Sequence, residues 1–320
     1  MSNQIINPLY IDPTHLVPRV SDPSDVVAGS YTDVVKEPSG FPNRTDSEID
    51  FYNLDRTFMI SPLNGSFDVY IGGFKKTFSA AQSIQIPSVS GLYWIYFSRD
   101  TGLLAVQSDI GNPSDIILKH TPVAIIYWNS ELAEEIYFGD ERHGIVMDSA
   151  THAHLHQSIG TVYRSGLSLS HLSVDGNGSS NAHASFQCSN GRIADEDIEI
   201  IVNQRSVFET FYRSGSTWNS TTASSIPLFF LPGYDLPAFN YFNGNSWELA
   251  ECQNNHFILL HVVSTNDANR QTVCLLGNSY QTKSQSRAAA LSEFLSLSGL
   301  PFSEFVPICI FFLFLLYFLS

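Results

Sequence analysis

Between Thr57 and Trp128 the chain repeats one pattern, an apolar or aromatic run of four to six residues followed by a short turn. Thr57–Ile60, Phe67–Ile71 and Phe74–Phe78 are separated by SPLNGS and by Gly72-Gly73, and Leu92–Phe97, Leu103–Val106 and Val123–Trp128 continue the series. Runs this short cannot make three helical turns, and their valine, isoleucine, tyrosine and phenylalanine content suits a pleated surface. Glycine and asparagine between them supply the turns, with Asp100-Thr-Gly102 as a hairpin loop and Pro122 at a strand entrance. The segment therefore reads as a β-meander.

A second block of the same kind begins near Gly160. Thr161–Tyr163, Leu167–Val174, Ala184–Cys188, Ile193–Val202 and Thr210–Tyr212 alternate with the turns Asp175–Gly178 and Ser189–Gly191. Phe257–Val263 and Thr272–Leu276 read as buried strands. Only Ser286–Leu297 has helical composition, and Gly299-Leu-Pro301 stops it. The expected class is mainly β, as two β-sandwich or β-barrel-like domains joined by a short histidine-rich linker, with one short helix near the C-terminus. The divisions are an extended proline-rich arm over 1–42, a first β domain over 43–141, a linker over 142–159, a second β domain over 160–305 and an apolar tail over 306–320.

Charge narrows the partners. With 31 acidic against 16 basic residues the formal charge is -15, which disfavours binding to phosphate backbones, so no nucleic-acid partner is expected. Only 15% of residues are charged while 13% are aromatic, a surface better suited to protein or sugar contacts. The start MSNQIINPLYIDP lacks a basic stretch followed by an apolar one, so no secretory leader is expected. Four cysteines lie far apart with no CxxC pair, and buried free thiols are the reading.

Near the C-terminus, Ile308–Leu319 is an unbroken apolar run of a dozen residues. It falls short of the roughly 20 residues a membrane helix needs, so no membrane span is expected. Two readings stand for it: a buried strand, or a tail truncated or shifted out of frame.

Three features carry possible chemistry. His152, His154 and His156 alternate in Thr151-His-Ala-His-Leu-His156. In an extended strand all three imidazoles share one face, which suits a transition metal such as iron or zinc, within one chain or on the axis of a trimer. Asp140 and Asp148 are placed to orient those rings. Otherwise no cofactor is expected, and a solvated linker is the competing reading. Asp195, Asp197 and Glu199 offer paired carboxylates for glycoside hydrolysis, with Asp197 and Glu199 about 7 Å apart on one strand face. Against this stands an acidic turn leading into a strand whose Ile198, Ile200 and Val202 point inward. Aromatic clusters include Tyr241 and Trp247, candidates for stacking on sugar rings, although aromatics also dominate cores and interfaces. No phosphate loop, GxSxG elbow or HExxH motif occurs.

The stretches SGFPNRTDSEIDF, FGDERHGIVMDSATHAHLH, GRIADEDIEI and SGLPFSEFVPI carry a resemblance. From about Pro38 to Pro307 the chain resembles virion structural proteins of tailed bacteriophages and related environmental viruses, of the tail or fibre-associated kind. In such proteins the block after SEFVPI continues as a polar strand, where this chain has its phenylalanine and leucine run. The resemblance implies a β-rich oligomer, expected to be a trimer, that contacts other virion proteins. It brings no catalytic residues. The function expected is a non-enzymatic particle component, made in the bacterial host cytoplasm and residing in the virion, with recognition of a host-surface glycan as an added role. A polysaccharide depolymerase and a carbohydrate-binding module are the alternatives.

Overall fold

A computed structural model describes residues 37–107, 113–171, 180–296 and 299–314. The expected arm over 1–42 lies largely outside them, as does the end of the apolar run. Strands hold 51% of the described residues against 13% in helices, which makes it a mainly β protein. None of the sheets described closes into a barrel.

The first block supplies nine strands: β1 (Ser47–Tyr52), β2 (Thr57–Pro62), β3 (Phe67–Ile71), β4 (Phe74–Phe78), β5 (Gln82–Gln85), β6 (Gly91–Ser98), β7 (Gly102–Gln107), β8 (Thr121–Asn129) and β9 (Glu134–Asp140). A short helix, α1 (Pro113–Lys119), precedes β8. The strands form an antiparallel sheet β7-β6-β8-β9, a sheet β1-β2-β5 and the hairpin β3-β4. Alternation decides which faces go inside. In β3, Phe67, Val69 and Ile71 are buried while Asp68 and Tyr70 are not. Phe58, Ile60, Phe67, Val69, Tyr93, Phe97 and Phe138 meet in one core. Gly40 bridges to Tyr70 of this block, Pro38 and Phe41 bridge to Asp148 and Gly144 beyond it, and Phe41 is buried in the same core.

Then comes α2 (Ser149–Ser158), followed by β10 (Thr161–Gly166), β11 (Leu169–Ser170), β12 (Gln187–Cys188), β13 (Gly191–Asp195), β14 (Ile198–Val202), β15 (Thr210–Ser214), β16 (Thr217–Ser220), β17 (Ala238–Phe242), β18 (Trp247–Glu251), β19 (Phe257–Thr265) and β20 (Thr272–Tyr280). A third helix, α3 (Lys283–Ser296), and β21 (Phe305–Phe314) complete the order. The main sheet runs β16-β15-β20-β19-β21, with β15 and β20 parallel and the other pairs antiparallel. Smaller sheets are β10-β13-β14, β17-β18 and β11-β12.

Two expectations are corrected here. The expected run Ile193–Val202 is a tight hairpin, because Glu196 and Asp197 turn the chain between β13 and β14. The segment 142–159 is no extended linker, since most of it is α2. Asp148 caps that helix, its side chain accepting from the amides of Ala150 and Thr151, and Ala153 is buried beneath it. The residues from Pro38 on form one compact unit. A shared core explains why: Trp94, Ile125, Tyr127 and Tyr137 of the first block pack with Ala153, Phe211, Trp218, Val263 and Phe302. Polar contacts cross the same seam. Asn129 Nδ2 donates to Trp218 O at 2.8 Å, and Phe138 N donates to Asp267 Oδ2 at 2.9 Å.

The apolar run from Phe305 to Phe314 forms edge strand β21, antiparallel to β19. Pro307 has no amide hydrogen to give the ladder, and the register shifts next to it, between its partner Val263 and Val262. Phe311 packs on Phe186 with ring centroids 4.8 Å apart. The four cysteines are free thiols, three of them buried.

Candidate functional site

Helical geometry reassigns the three histidines. On α2 the side chains of His152 and His156, one turn apart, share a face, whereas His154 points to solvent. What surrounds His152 and His156 comes from elsewhere in the chain. The segment after β9 brings Glu141 and His143, the β13–β14 turn brings Asp195, Glu196 and Asp197, and the segment before β21 brings Glu304. The His143 and His152 rings lie 4.3 Å apart between centroids, and those of His152 and His156 6.3 Å apart.

The cluster is nearly sealed. Glu141, His143, Asp195 and Glu304 are each 3% exposed or less. The nearest cavity, lined in part by Gly40, Ile117, Glu141, His143 and His152, measures about 10 Å³, room for a single water.

Each group is oriented by a neighbour. His143 Nδ1 donates to Asp197 Oδ1 at 2.7 Å, and Gly144 N donates to Asp197 Oδ2 at 2.8 Å. His143 Nε2 faces Glu196 Oε2 at 3.4 Å and Glu141 Oε2 at 3.6 Å. His156 Nδ1 pairs with Glu304 Oε1 at 3.0 Å, and Thr161 Oγ1 donates to the other oxygen of that carboxylate at 2.5 Å. Behind the carboxylates, Asn266 Nδ2 donates to Glu141 Oε1 and Asp195 Oδ2, while Tyr137 OH donates to Asn266 Oδ1. Gly139 allows that packing, because a Cβ there would stand 2.3 Å from the Tyr137 oxygen.

The charges divide accordingly. Burial alone would depress the His143 imidazolium, but the hydrogen bond to Asp197 and the charges of Glu141 and Glu196 outweigh it and lift its pKa to about 10. Burial likewise opposes the charge on His156, and Glu304 reverses it, to about 9. His152 has no such partner. Burial and the two neighbouring imidazoles push it down to about 3, so it is neutral. Burial and the crowd of Glu304, Glu141 and Glu196 push Asp195 well up, whereas the hydrogen bond and charge of His156 overcome burial and hold Glu304 low.

Two groups of side chains here bring single ligand atoms within 4.8 Å of one another: His143 with His152 and Glu196, and Glu141 with His143 and Asp195. Neither contains His154 or His156, so the sequence-derived set of His152, His154 and His156 is corrected to one that keeps only His152. The imidazole-orienting acids also differ. Asp140 instead holds Arg142, through contacts of 2.8 and 2.6 Å, and Asp148 caps α2.

The carboxylate pair expected on one strand face does not form. Asp197 sits in the turn, and Glu199 points to solvent and pairs with Arg192 at 2.7 Å. Ile198 and Val202 are buried, as the competing reading had it. Glu141, His143, Glu196 and Glu304 went unrecognised in the sequence. The cue for α2 was present: Asp148 before Ser-Ala-Thr is a helix N-cap pattern, with Gly160 just past the end.

Tyr241 and Trp247 do come together. On the β17–β18 hairpin they line an open cleft of about 390 Å³ with Phe242, Asn278, Tyr280 and Glu293. Tyr241 OH donates to Glu248 Oε2 at 2.8 Å, fixing its ring. No helix among the described residues is long and apolar enough to cross a membrane.

No protein-family model, curated protein or solved structure matches the chain.

Proposed function

We propose that this chain is a non-enzymatic structural component of a phage particle, tail or fibre associated, that assembles as a trimer with other virion proteins and contacts a host-surface glycan. The observation that carries the reading is a contrast between two sites. The densest cluster of acids and bases adjoins a cavity of about 10 Å³, too small for any substrate, whereas the aromatic cleft at Tyr241 and Trp247 is open and measures about 390 Å³. Catalysis needs an acid or base within reach of the substrate, and here the strongly shifted groups of the cluster are enclosed. The cleft has the chemistry sugar binding uses: ring faces for the C–H surface of a pyranose, with the Asn278 side chain on its lining for hydroxyls.

Assembly is supported by the sheet edges. β21 and β16 are the outer strands of the five-stranded sheet, and such edges leave backbone groups that another chain can pair. The resemblance of the SGFPNRTDSEIDF and SGLPFSEFVPI stretches to tail and fibre-associated proteins supplies the particle context.

Light scattering on the full chain, followed by binding measurements on a panel of bacterial surface glycans, tests the reading. A trimer whose glycan binding falls at least about tenfold in Trp247→Ala is the expected result. A monomer that binds no glycan in the panel, or a chain that cleaves one, would overturn it.

A further inference from the structure

Hydrogen bonding does not account for the buried centre. Nε2 of His143, Nε2 of His152 and both carboxylate oxygens of Glu196 are buried and have no hydrogen-bond partner. Native interiors leave only a few such atoms per hundred residues, and four gathered in one place point to a ligand that is neither backbone nor side chain.

Their spacing says what kind. His143 Nε2 stands 3.4 Å from Glu196 Oε2 and 3.6 Å from Glu141 Oε2, long for hydrogen bonds between charged partners. Two ligands each about 2.1 Å from a tetrahedral ion lie roughly 3.4 Å apart. The orientation of His143 also fits: with Nδ1 held by Asp197, Nε2 faces the centre, where a metal ion would displace its proton and take the lone pair.

Backbone conformation gives an independent indication. Glu196 occupies the left-handed region, with φ 43, at the first position of a two-residue hairpin turn where glycine or asparagine would sit without strain. That conformation aims the carboxylate into the centre, where its side chain is 1% exposed.

We propose that His143, His152 and Glu196 bind a divalent transition-metal ion of the zinc or iron class, with a water in the fourth position. Two imidazoles and one carboxylate favour these ions over magnesium or calcium, which take all-oxygen sites. Asp197 forms the outer shell on His143. The ion ties the segment after β9 and the neighbouring helix α2 to the β13–β14 turn, which lies further along the chain. It is enclosed, and its role is to hold the fold together.

The test uses the full chain without a histidine tag. Elemental analysis as purified, and after dialysis against Zn²⁺ or Fe²⁺ with removal of excess, is expected to find about one equivalent per chain. Chelation is expected to lower the melting temperature, and re-addition of Zn²⁺ to restore it. His152→Ala and Glu196→Gln are expected to weaken Zn²⁺ affinity by roughly 100-fold or more, beyond the usual effect of an outer-shell change, with His154→Ala unchanged. Should either variant fold poorly, Co²⁺ absorption of the wild-type chain and of His154→Ala provides a second readout, and both are expected to show the bands of low-symmetry coordination. Less than about a tenth of an equivalent after reconstitution, wild-type affinity in both ligand variants, or Co²⁺ spectra indistinguishable from the aqueous ion would overturn the proposal.

Discussion

Asp197 grips the chain at two adjacent points, taking the His143 imidazole on one oxygen at 2.7 Å and the Gly144 amide on the other at 2.8 Å. One carboxylate from the β13–β14 turn thus fixes both the ring and the backbone that carries it. A Cβ at 144 would stand 2.7 Å from Asp197 Oδ2, so a side chain there must displace the carboxylate.

Removing that grip should loosen the centre without emptying it. Asp197→Ala is expected to lower Zn²⁺ affinity by about 10–100-fold, the usual effect of losing a histidine's outer-shell partner. Competition with a chromophoric chelator measures it. Gly144→Ala should do the same more weakly, by displacing the carboxylate, and an unchanged affinity in both variants would detach Asp197 from the centre.

Glu196 sets stability against binding. In the metal-free chain, Glu196→Gly relieves a left-handed backbone and removes one carboxylate from a crowded group, so it is expected to stabilise the fold by about 1 kcal/mol. The same variant should lose the stabilisation by added Zn²⁺. Urea denaturation with and without the ion checks both halves. A metal-free variant less stable than the parent would mean that the carboxylate itself supports the fold.

Arg142 lies beside the centre and serves the first block. Its guanidinium binds Asp140 through Nε at 2.8 Å and Nη2 at 2.6 Å, and Nη1 donates to Ser47 O, Ser47 Oγ and Arg44 O. Arg142→Ala would leave Asp140 only the amide of residue 142 and a 3.7 Å contact to Arg44, and is expected to cost about 3 kcal/mol, the lower end for breaking a buried pair. Lysine cannot reproduce the fork, so Arg142→Lys should recover less than half of that loss. Chemical denaturation of the two variants decides.

On edge strand β21, Phe311 pairs with Leu260 and packs on Phe186, against a core of Leu167, Phe208, Val262 and Cys274. Because the ring is only half-buried, Phe311→Ala is expected to cost about 2–3 kcal/mol, at or below the lower end of the range for large-to-small core changes. A loss under about 0.5 kcal/mol, the range of ordinary surface substitutions, would mean that the strand is dispensable to the fold.

Most strands of the first block were legible because alternation is local. Phe67, Val69 and Ile71 show their common face within five residues, and Gly72-Gly73 marks where the chain must turn. The helix near the C-terminus was legible for the same reason, with SRAAALSEFL carrying helical residues over several turns. At Thr151–His156 locality misled. Histidines at every second position match a strand's period, but the Asp148 cap and the packing of Ala153 favour a helix, in which only His152 and His156 share a face.

By itself, the sequence determined the β class, the turns, the acidic balance and the aromatic pair that lines the cleft, because period, turn chemistry and composition act over a few residues. Only the tertiary structure decided that His143, His152, Glu196 and Glu304 meet, and that Glu199 does not join them. Those four residues belong to segments up to 161 positions apart in the chain. Their meeting depends on a shared core formed by Tyr127 and Tyr137 with Phe211, Trp218 and Phe302, and no local pattern records which distant surfaces will pack.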